Sequence, residues 1–378
     1  MEHLLDGRGA VLRAAMRMGR KGRRLRRLLR VFALLCLAST AEGASRCAER
    51  SAMAGTFLQP TEALVARDDA AWDALFGEIA ALGMKDVYLQ WSAADGVYEE
   101  GVIRWPRSPA ALAKRVLDVA AKHGLRAWIG LSYTDAWWQR IERSRSLESV
   151  TVYLRRRLFV NEAAARDVAP VAVAHQAFAG WYVTEEIDDK NWLEPARRAA
   201  IAEYAGALAR SLRALAPERP IAISGFATGF ASPGTLASLW TSILEKGPID
   251  VVLLQDGIGA GHLDEPELAM VLPSLRNAVT AAGRQLGMVV ELFAVNEPAV
   301  NATAVKSEAT ENETAEPKWS ARPATLARIE RQIALARRFA TGPLVAFSVP
   351  DYMSPFAGGN AARLYSEYRA RVLRCPSR

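Results

Sequence analysis

Cysteine and histidine are scarce in this chain of 378 residues, which has three cysteines and four histidines. It contains no C-x-x-C pair and no H-E-x-x-H motif, so the sequence indicates neither a zinc site nor thioredoxin-like redox chemistry. The phosphate-binding motif G-x-x-x-x-G-K-[ST] and the esterase motif G-x-S-x-G are also missing. We therefore expect a protein that uses no cofactor and no metal.

Acidic residues are rare only at the amino terminus, and this explains the formal net charge of +7. Residues 1–30 hold ten Lys or Arg and two acids, a net charge of +8, so residues 31–378 carry −1. A nearly neutral domain gives no indication of a nucleic-acid surface. With 51% apolar and 24% charged residues, the composition is that of a globular protein.

Residues 1–45 have the pattern of a signal peptide. The basic segment is followed by a short apolar run at 31–38 and by small residues at 39–45. The run is shorter than the roughly 20 residues that span a bilayer, although an uncleaved basic anchor remains the alternative. We expect export to the periplasm or the medium, with no stable membrane insertion once the leader is removed.

Eight short apolar runs, each followed by an amphipathic helical pattern, organise residues 46–378. The runs cover residues 55–59, 86–91, 126–131, 180–184, 221–225, 250–254, 288–292 and 344–348. Nearly continuous apolar strands are typical of parallel sheets buried on both faces. Eight such units without a break in composition predict one α/β domain, a (β/α)8 TIM barrel, with a doubly wound open sheet as the alternative.

Long segments follow the third strand, at residues 134–178, and the seventh strand, at residues 296–322. Both are predicted βα loops, which in a barrel lie at the carboxyl ends of the strands, where active sites are found. Barrel closure also brings the two chain ends close together. Cys47 and Cys375 flank the domain, so we expect them to form a disulfide in an oxidising compartment; two unpaired cysteines are the alternative.

The predicted strand ends collect acids, amides and aromatic rings. Amides hydrogen-bond hydroxyl groups and aromatic faces stack on sugar rings, so this mixture favours a carbohydrate ligand. The candidate substrate-binding residues are Gln59, Gln90, Trp91, Tyr133, Trp137, Trp192, Gln255 and Tyr352. Trp138 is a further candidate for stacking, whereas Trp181 lies inside a strand, which favours a place in the core.

Glu186 and Glu291 are the main catalytic candidates. Glycoside hydrolysis needs two carboxyl groups that flank one bond, and acids at the ends of strands four and seven lie across a barrel mouth from each other. This pair resembles that of the large superfamily of barrel glycosidases, although no Asn precedes the acid on strand four. The alternative is that Glu291 forms an ion pair inside the barrel and that the strand-four acids lie at the surface.

Several separated motifs resemble the bacterial family called domain of unknown function 4434. They are Thr56-Phe-Leu-Gln-Pro60, Leu89-Gln-Trp91, Gly180-Trp-Tyr-Val-Thr-Glu-Glu-Ile-Asp-Asp189, Leu254-Gln-Asp-Gly-Ile-Gly-Ala260 and Tyr352-Met-Ser-Pro355. The resemblance covers about residues 53–370 and implies a glycosidase-like barrel of unestablished substrate. Within it the acid before Ile-Asp, Glu186, is the residue carried over, with Glu185 in reserve because it points to the other side of the strand.

Other acids and a glycine-rich segment allow more than one interpretation. Asp256 is either a third catalytic acid or a structural hydrogen-bonding group. Asp188 and Asp189 either bind calcium with Glu186 or cap a helix. The segment 257–261, Gly-Ile-Gly-Ala-Gly, lacks the G-x-G-x-x-G spacing of a nucleotide loop, so we expect a tight turn.

Two functions remain open from the sequence. One is an exported hydrolase that cleaves a polysaccharide with Glu186 as acid/base and Glu291 as nucleophile, a retaining mechanism in which Tyr133 or Tyr352 hydrogen-bonds the nucleophile. The other is a barrel that binds glycan without cleaving it, as an accessory to exopolysaccharide assembly. The sequence indicates neither the sugar nor the oligomeric state.

Overall fold

The eight apolar runs form eight parallel strands in the computed structural model, which describes residues 53–94, 108–143, 146–296 and 320–372. The barrel strands are β1 (Gly55–Leu58), β2 (Asp86–Leu89), β3 (Arg126–Gly130), β4 (Phe178–Ile187), β5 (Ile221–Gly225), β6 (Val251–Gln255), β7 (Gln285–Glu291) and, after two short strands outside the barrel, β10 (Leu344–Phe347). Each strand pairs with the next, and β10 pairs with β1, so the sheet closes. The predicted (β/α)8 barrel is therefore confirmed.

Helices connect the strands on the outside of the barrel. They are α1 (Glu62–Val65), α2 (Asp69–Ala81), α3 (Pro109–Lys122), α4 (Ala136–Arg143), α5 (Leu147–Ala172), α6 (Pro195–Leu215), α7 (Pro233–Lys246), α8 (Glu265–Ala281), α9 (Leu326–Phe339), α10 (Val349–Tyr352) and α11 (Gly359–Val372), with a 3-10 turn at Pro355–Ala357. Most of these helices have a capping side chain at their amino terminus. Asp264, for example, forms a capping box with Glu267. Within the described ranges, no helix is both long and apolar enough to cross a bilayer.

The two long segments predicted after strands three and seven differ in structure. The first holds α4 and the 26-residue helix α5. The second begins with strand β8 (Phe293–Val295), which pairs antiparallel with β9 (Ala321–Pro323). Both segments start at the carboxyl ends of barrel strands, where the candidate site residues also lie.

Large side chains fill the inside of the barrel. Tyr88 and Trp128 stack with ring centroids 5.2 Å apart, and the hydroxyls of Tyr182 and Ser224 hydrogen-bond at 2.6 Å. Side chains two residues apart share a face of a strand, so Gln90 follows Tyr88 and Gln255 follows Leu253 toward the carboxyl end. The packed core thus gives way to a polar layer at that end of the barrel.

The amino-terminal leader, Cys47 and Cys375 lie outside the described residues. The predicted signal peptide and disulfide therefore stay predictions.

Candidate active site

A cavity of about 270 Å³ opens at the carboxyl ends of the barrel strands. Eight of the predicted site residues line it, namely Gln59, Gln90, Trp91, Tyr133, Trp137, Glu185, Glu186 and Gln255. They come from segments that are far apart in the chain and meet because the strands close into a barrel. The cavity thus collects the polar and aromatic strand ends that the sequence indicated.

Glu186 is the second-to-last residue of β4 and is half-buried at the cavity wall. Its Oε1 accepts a hydrogen bond from the Gln255 amide at 2.8 Å. Burial raises the pKa of Glu186 to about 7, the charge of Glu291 adds to this effect, and the hydrogen bond from Gln255 opposes it. A carboxyl group with such a pKa can hold a proton at neutral pH and donate it.

Glu291 ends β7 and is 2% exposed. Its Oε2 accepts a hydrogen bond from the backbone amide of Ala260 at 2.8 Å. Burial raises the pKa of Glu291 to about 7, whereas backbone amides of the loop 257–261 and the charge of Arg328 act in the opposite direction. Because several donors and one cation stabilise its ionised form, Glu291 is the better placed of the two acids to act as the anion.

The glycine-rich turn after β6 is what holds Glu291. A Cβ atom at Gly259 would lie 2.4 Å from the carbonyl oxygen of Phe293 and 2.9 Å from Glu291 Oε2, so only glycine allows this close approach. Gly257 and Gly261 have positive φ angles of 69° and 72°, which favour glycine. The predicted tight turn is confirmed, and its amide groups point at a carboxylate of the same chain.

Asp256 is buried beside Glu291. Its Oδ2 accepts a hydrogen bond from the Gln332 amide at 2.6 Å, and its Oδ1 accepts one from the backbone of Ile258 at 3.2 Å. Burial, with the charge of Glu291 second, raises the pKa of Asp256 well above its ordinary value. Neither Asp256 nor Glu291 is among the residues that line the cavity. The hydrogen bonds of Asp256 to Gln332 and to the backbone of Ile258 match the structural interpretation.

Glu185 faces helix α5, whereas its neighbour Glu186 faces Gln255. Arg157 contacts Glu185 Oε1 at 2.9 Å, and the amide of Asn161 donates to the same oxygen at 2.7 Å. The side chains of Arg157 and Glu185 are each 2% exposed. These contacts make Glu185 a partner in a buried ion pair, which argues against its role as a reserve catalytic acid.

Aromatic rings form one wall of the cavity. Trp91 and Tyr133 stack with centroids 4.4 Å apart, and Trp137 and Trp138 meet edge to face at 6.3 Å. The Tyr133 hydroxyl donates to Asp135 at 2.6 Å, so its single proton is directed to that residue and not to Glu291. Trp91 and Trp137 line the cavity but are only 8% and 5% exposed, so their role as stacking platforms stays a prediction.

Two predicted binding residues lie elsewhere. Trp192 is completely buried and packs against Trp137 at 6.1 Å, so its assignment as a stacking platform was wrong. Tyr352 is half-buried and packs against Phe293 at 5.2 Å. Burial and the charges of Asp351 and Glu291 raise the pKa of Tyr352 to about 12, which places its hydroxyl in the electrostatic surroundings of Glu291.

Asp188 and Asp189 hold backbone turns. Asp188 accepts hydrogen bonds from the amides of Lys190 and Asn191, and Asp189 accepts bonds from the loop after β5, including Thr228. Across the ranges that the structure describes, no group of three or more His, Cys, Asp or Glu is arranged to hold a metal ion. Neither aspartate caps a helix, because Glu194 and Ser232 are the N-cap residues of the helices that follow; both hold loop backbone instead.

Sequence reasoning missed four polar residues on helices that position the acids. Arg157 and Asn161 are four residues apart on α5, and Arg328 and Gln332 are four residues apart on α9, so each pair shares one helix face. Arg328 donates to the carbonyl oxygens of Glu291 and Phe293. The sequence could have indicated these residues, because each pair places two polar side chains, four positions apart, on the otherwise apolar face of a helix.

Comparisons with known proteins agree with this architecture. The model of the family described as domain of unknown function (DUF4434) matches residues 53–358. The uncharacterized protein YbcH of Escherichia coli K12 is 27% identical over 249 residues, covering 65% of this chain and 78% of YbcH.

Among solved structures, a candidate alpha-L-fucosidase from Bacteroides thetaiotaomicron has a TM-score of 0.64 and 18% identity, over 85% of this chain and 96% of that one. Xylanase 10B from Thermotoga maritima has a TM-score of 0.47 and 11% identity, over 87% of this chain and 98% of that one. The likeness to the first of these shows a shared barrel fold.

Proposed function

The chain belongs to the family described as domain of unknown function 4434, and from this premise we propose that it is an exported glycoside hydrolase that cleaves a polysaccharide with two carboxyl groups. The observation that carries the proposal is the pair Glu186 and Glu291. Both acids lie at the carboxyl ends of barrel strands, and burial raises the pKa of each to about 7. Two such acids are what glycosidic bond cleavage requires.

The surroundings of the two acids support the roles that we propose for them. Burial favours the neutral form of Glu186, against the single hydrogen bond from Gln255, and Glu186 protonates the glycosidic oxygen as the bond breaks. Glu291 is held as an anion by the Ala260 amide and Arg328, and it attacks the anomeric carbon. Water then hydrolyses the glycosyl–enzyme ester, with Glu186 accepting the proton of the water, and the anomeric configuration is retained.

The class of substrate is supported by the cavity and by the neighbours. Amides and aromatic rings line the cavity beside Glu186, a mixture suited to hydroxyl groups and to the faces of sugar rings. A structural neighbour is described as a candidate alpha-L-fucosidase, an activity on a glycan. Carbohydrate is therefore the ligand class that we propose.

The direct test incubates the purified mature protein with a panel of bacterial exopolysaccharides and measures new reducing ends. We expect release from at least one polysaccharide, and release that is slower by about 10²-fold or more from the Glu186→Gln variant. A protein that binds a polysaccharide but releases no reducing ends from it would be a glycan-binding barrel instead.

Activity should depend on pH as a bell centred near pH 7. Glu291 must be ionised, so the rate rises as the pH increases toward its pKa of about 7. Glu186 must be protonated, so the rate falls as the pH increases beyond its own pKa of about 7. The measurement is kcat/KM against pH on a cleaved glycan. An optimum near pH 4.5, where ordinary glutamates titrate, would contradict the proposed surroundings of both acids.

Export of the protein rests on the sequence of the leader, and we propose cleavage within residues 39–46. The mass of the protein purified from its native host should lack residues 1–38, and without reduction it should be two hydrogen masses lower because Cys47 and Cys375 are paired. A mass that retains residues 18–38 would indicate a membrane anchor, and two free thiols would contradict the disulfide.

A further inference from the structure

Three buried polar atoms of cavity-lining residues have no hydrogen-bond partner among the residues that the structure describes, namely Gln90 Oε1, Trp137 Nε1 and Glu185 Oε2. Gln90 is 8% exposed and its Oε1 is unpaired, and Trp137 is 5% exposed and its Nε1 is unpaired. Both residues line the cavity that contains Glu186. Buried polar groups in folded proteins are nearly always hydrogen-bonded, so this acceptor and this donor are suited to a ligand.

Gln90 Oε1 and Trp137 Nε1 require opposite kinds of hydrogen-bond partner. Gln90 Oε1 needs a hydrogen-bond donor, whereas Trp137 Nε1 needs an acceptor. A hydroxyl group meets either requirement, and a sugar ring carries several hydroxyls. The stacked pair of Trp91 and Tyr133 adds aromatic surface to the same cavity. A polyhydroxylated ring fits this combination better than an apolar or a purely ionic ligand.

The charges at the wall limit which sugars can bind. Three acids line the cavity, namely Asp135, Glu185 and Glu186. Arg157 is the one cation among the described lining residues, and it already donates to Glu185 and to the carbonyl oxygen of Ser132. A ligand carboxylate would therefore find no cation to pair with among these described residues.

We propose that this cavity is a subsite for a neutral sugar residue and that it discriminates against uronic acids. The proposal rests on the proposed glycan function and names the class of sugar that the site accepts. The hydroxyl groups of the sugar pair with Gln90 Oε1 and Trp137 Nε1. A uronate in the same place is disfavoured because its carboxylate would lose water without gaining a cation as partner.

The test is calorimetric titration of the full mature chain with methyl glycosides. The neutral probes are the methyl glycosides of glucose, galactose, xylose and fucose, the anionic probe is methyl glucuronide, and the cationic probe is methyl glucosaminide. We expect at least one neutral probe to bind at least about tenfold more tightly than methyl glucuronide. Tighter binding of the glucuronide or of the glucosaminide, or no binding of any neutral probe, would overturn the proposal.

Substitutions of Gln90 and Trp137 test whether the neutral methyl glycoside binds in this cavity. Gln90→Leu and Trp137→Phe should each weaken the neutral probe about three- to tenfold, the effect of losing one hydrogen bond. Gln285→Leu, at the opposite end of the barrel, and Trp240→Phe, a buried tryptophan outside the cavity, should bind as the wild type does. Equal affinity in all four variants would contradict the assigned roles.

Binding of methyl glycosides does not depend on catalysis, so the two proposals can fail separately. Neutral-probe binding that Gln90→Leu weakens, in a protein that releases no reducing ends, would overturn the hydrolase and keep the subsite. Hydrolysis of a polyuronate with ordinary affinity would overturn the subsite and keep the hydrolase.

Discussion

Replacing Glu186 by Gln should lower the rate of glycan hydrolysis by about 10²- to 10⁴-fold, the range for loss of a general acid. Replacing Glu291 by Gln should cost more, about 10⁴-fold or above, because the nucleophile is lost. Glutamine has nearly the shape of glutamate, so Gln255 and the Ala260 amide keep a side chain to contact. Glu245→Gln, an exposed change on α7, is the matched control.

Azide separates the two roles on an aryl glycoside with a good leaving group. In Glu186→Gln the glycosyl ester still forms, and azide replaces water in its breakdown, so a glycosyl azide of retained configuration results. In Glu291→Gln azide attacks the anomeric carbon directly, and the product has inverted configuration. Wild-type rates in both variants would place the chemistry elsewhere, with Asp256 the next acid to test.

Replacing Arg157 by Met should lower the free energy of unfolding by about 3–5 kcal/mol at neutral pH. The change leaves Glu185 buried without its guanidinium partner, with Asn161 as its remaining donor at 2.7 Å. Urea unfolding measures the loss. Arg155→Met, two residues earlier on the exposed side of α5, should be almost neutral and controls for the loss of one positive charge.

A double variant tests whether the cost comes from the unpaired charge. Arg157→Met combined with Glu185→Gln removes both charges, so it should be more stable than Arg157→Met alone. If Arg157→Met is no more destabilising than Arg155→Met, the ion pair does not hold this end of the barrel together. The rate of hydrolysis at low temperature, where the variant remains folded, should fall much less than in the Glu186 and Glu291 variants.

The barrel could be predicted from the sequence because its signal is local. An apolar run such as Val251–Leu254 followed by a periodic helix such as Glu265–Ala281 identifies one unit, and eight units identify the fold. Glu186 could be distinguished from Glu185 for a similar reason, since alternate residues of a strand face opposite sides. Both predictions depend only on residues that are close together in the sequence.

What the sequence could not show depends on tertiary contacts. Trp192 looks like a surface ring beside acidic residues, and only the packing of Trp137 against it reveals that it is buried. Arg157 stands in a run of three arginines, of which two are exposed. A charged residue on a helix is usually solvated, so its burial against Glu185 became visible only when α5 was placed against β4.

The acids at the barrel mouth also make the fold sensitive to proton concentration. A carboxyl group whose pKa is raised from 4.5 to about 7 on folding, as in Glu186 and Glu291, binds more protons in the folded chain than in the unfolded chain. Its stabilising contribution is complete below pH 4.5 and is lost as the pH increases through 7. Burial also raises the pKa of Asp256 well above its ordinary value, which adds a loss of stability of the same sign as the pH increases. The protein thus gives up stability at the pH where its two acids are ready to act, and the rest of the barrel has to compensate for it.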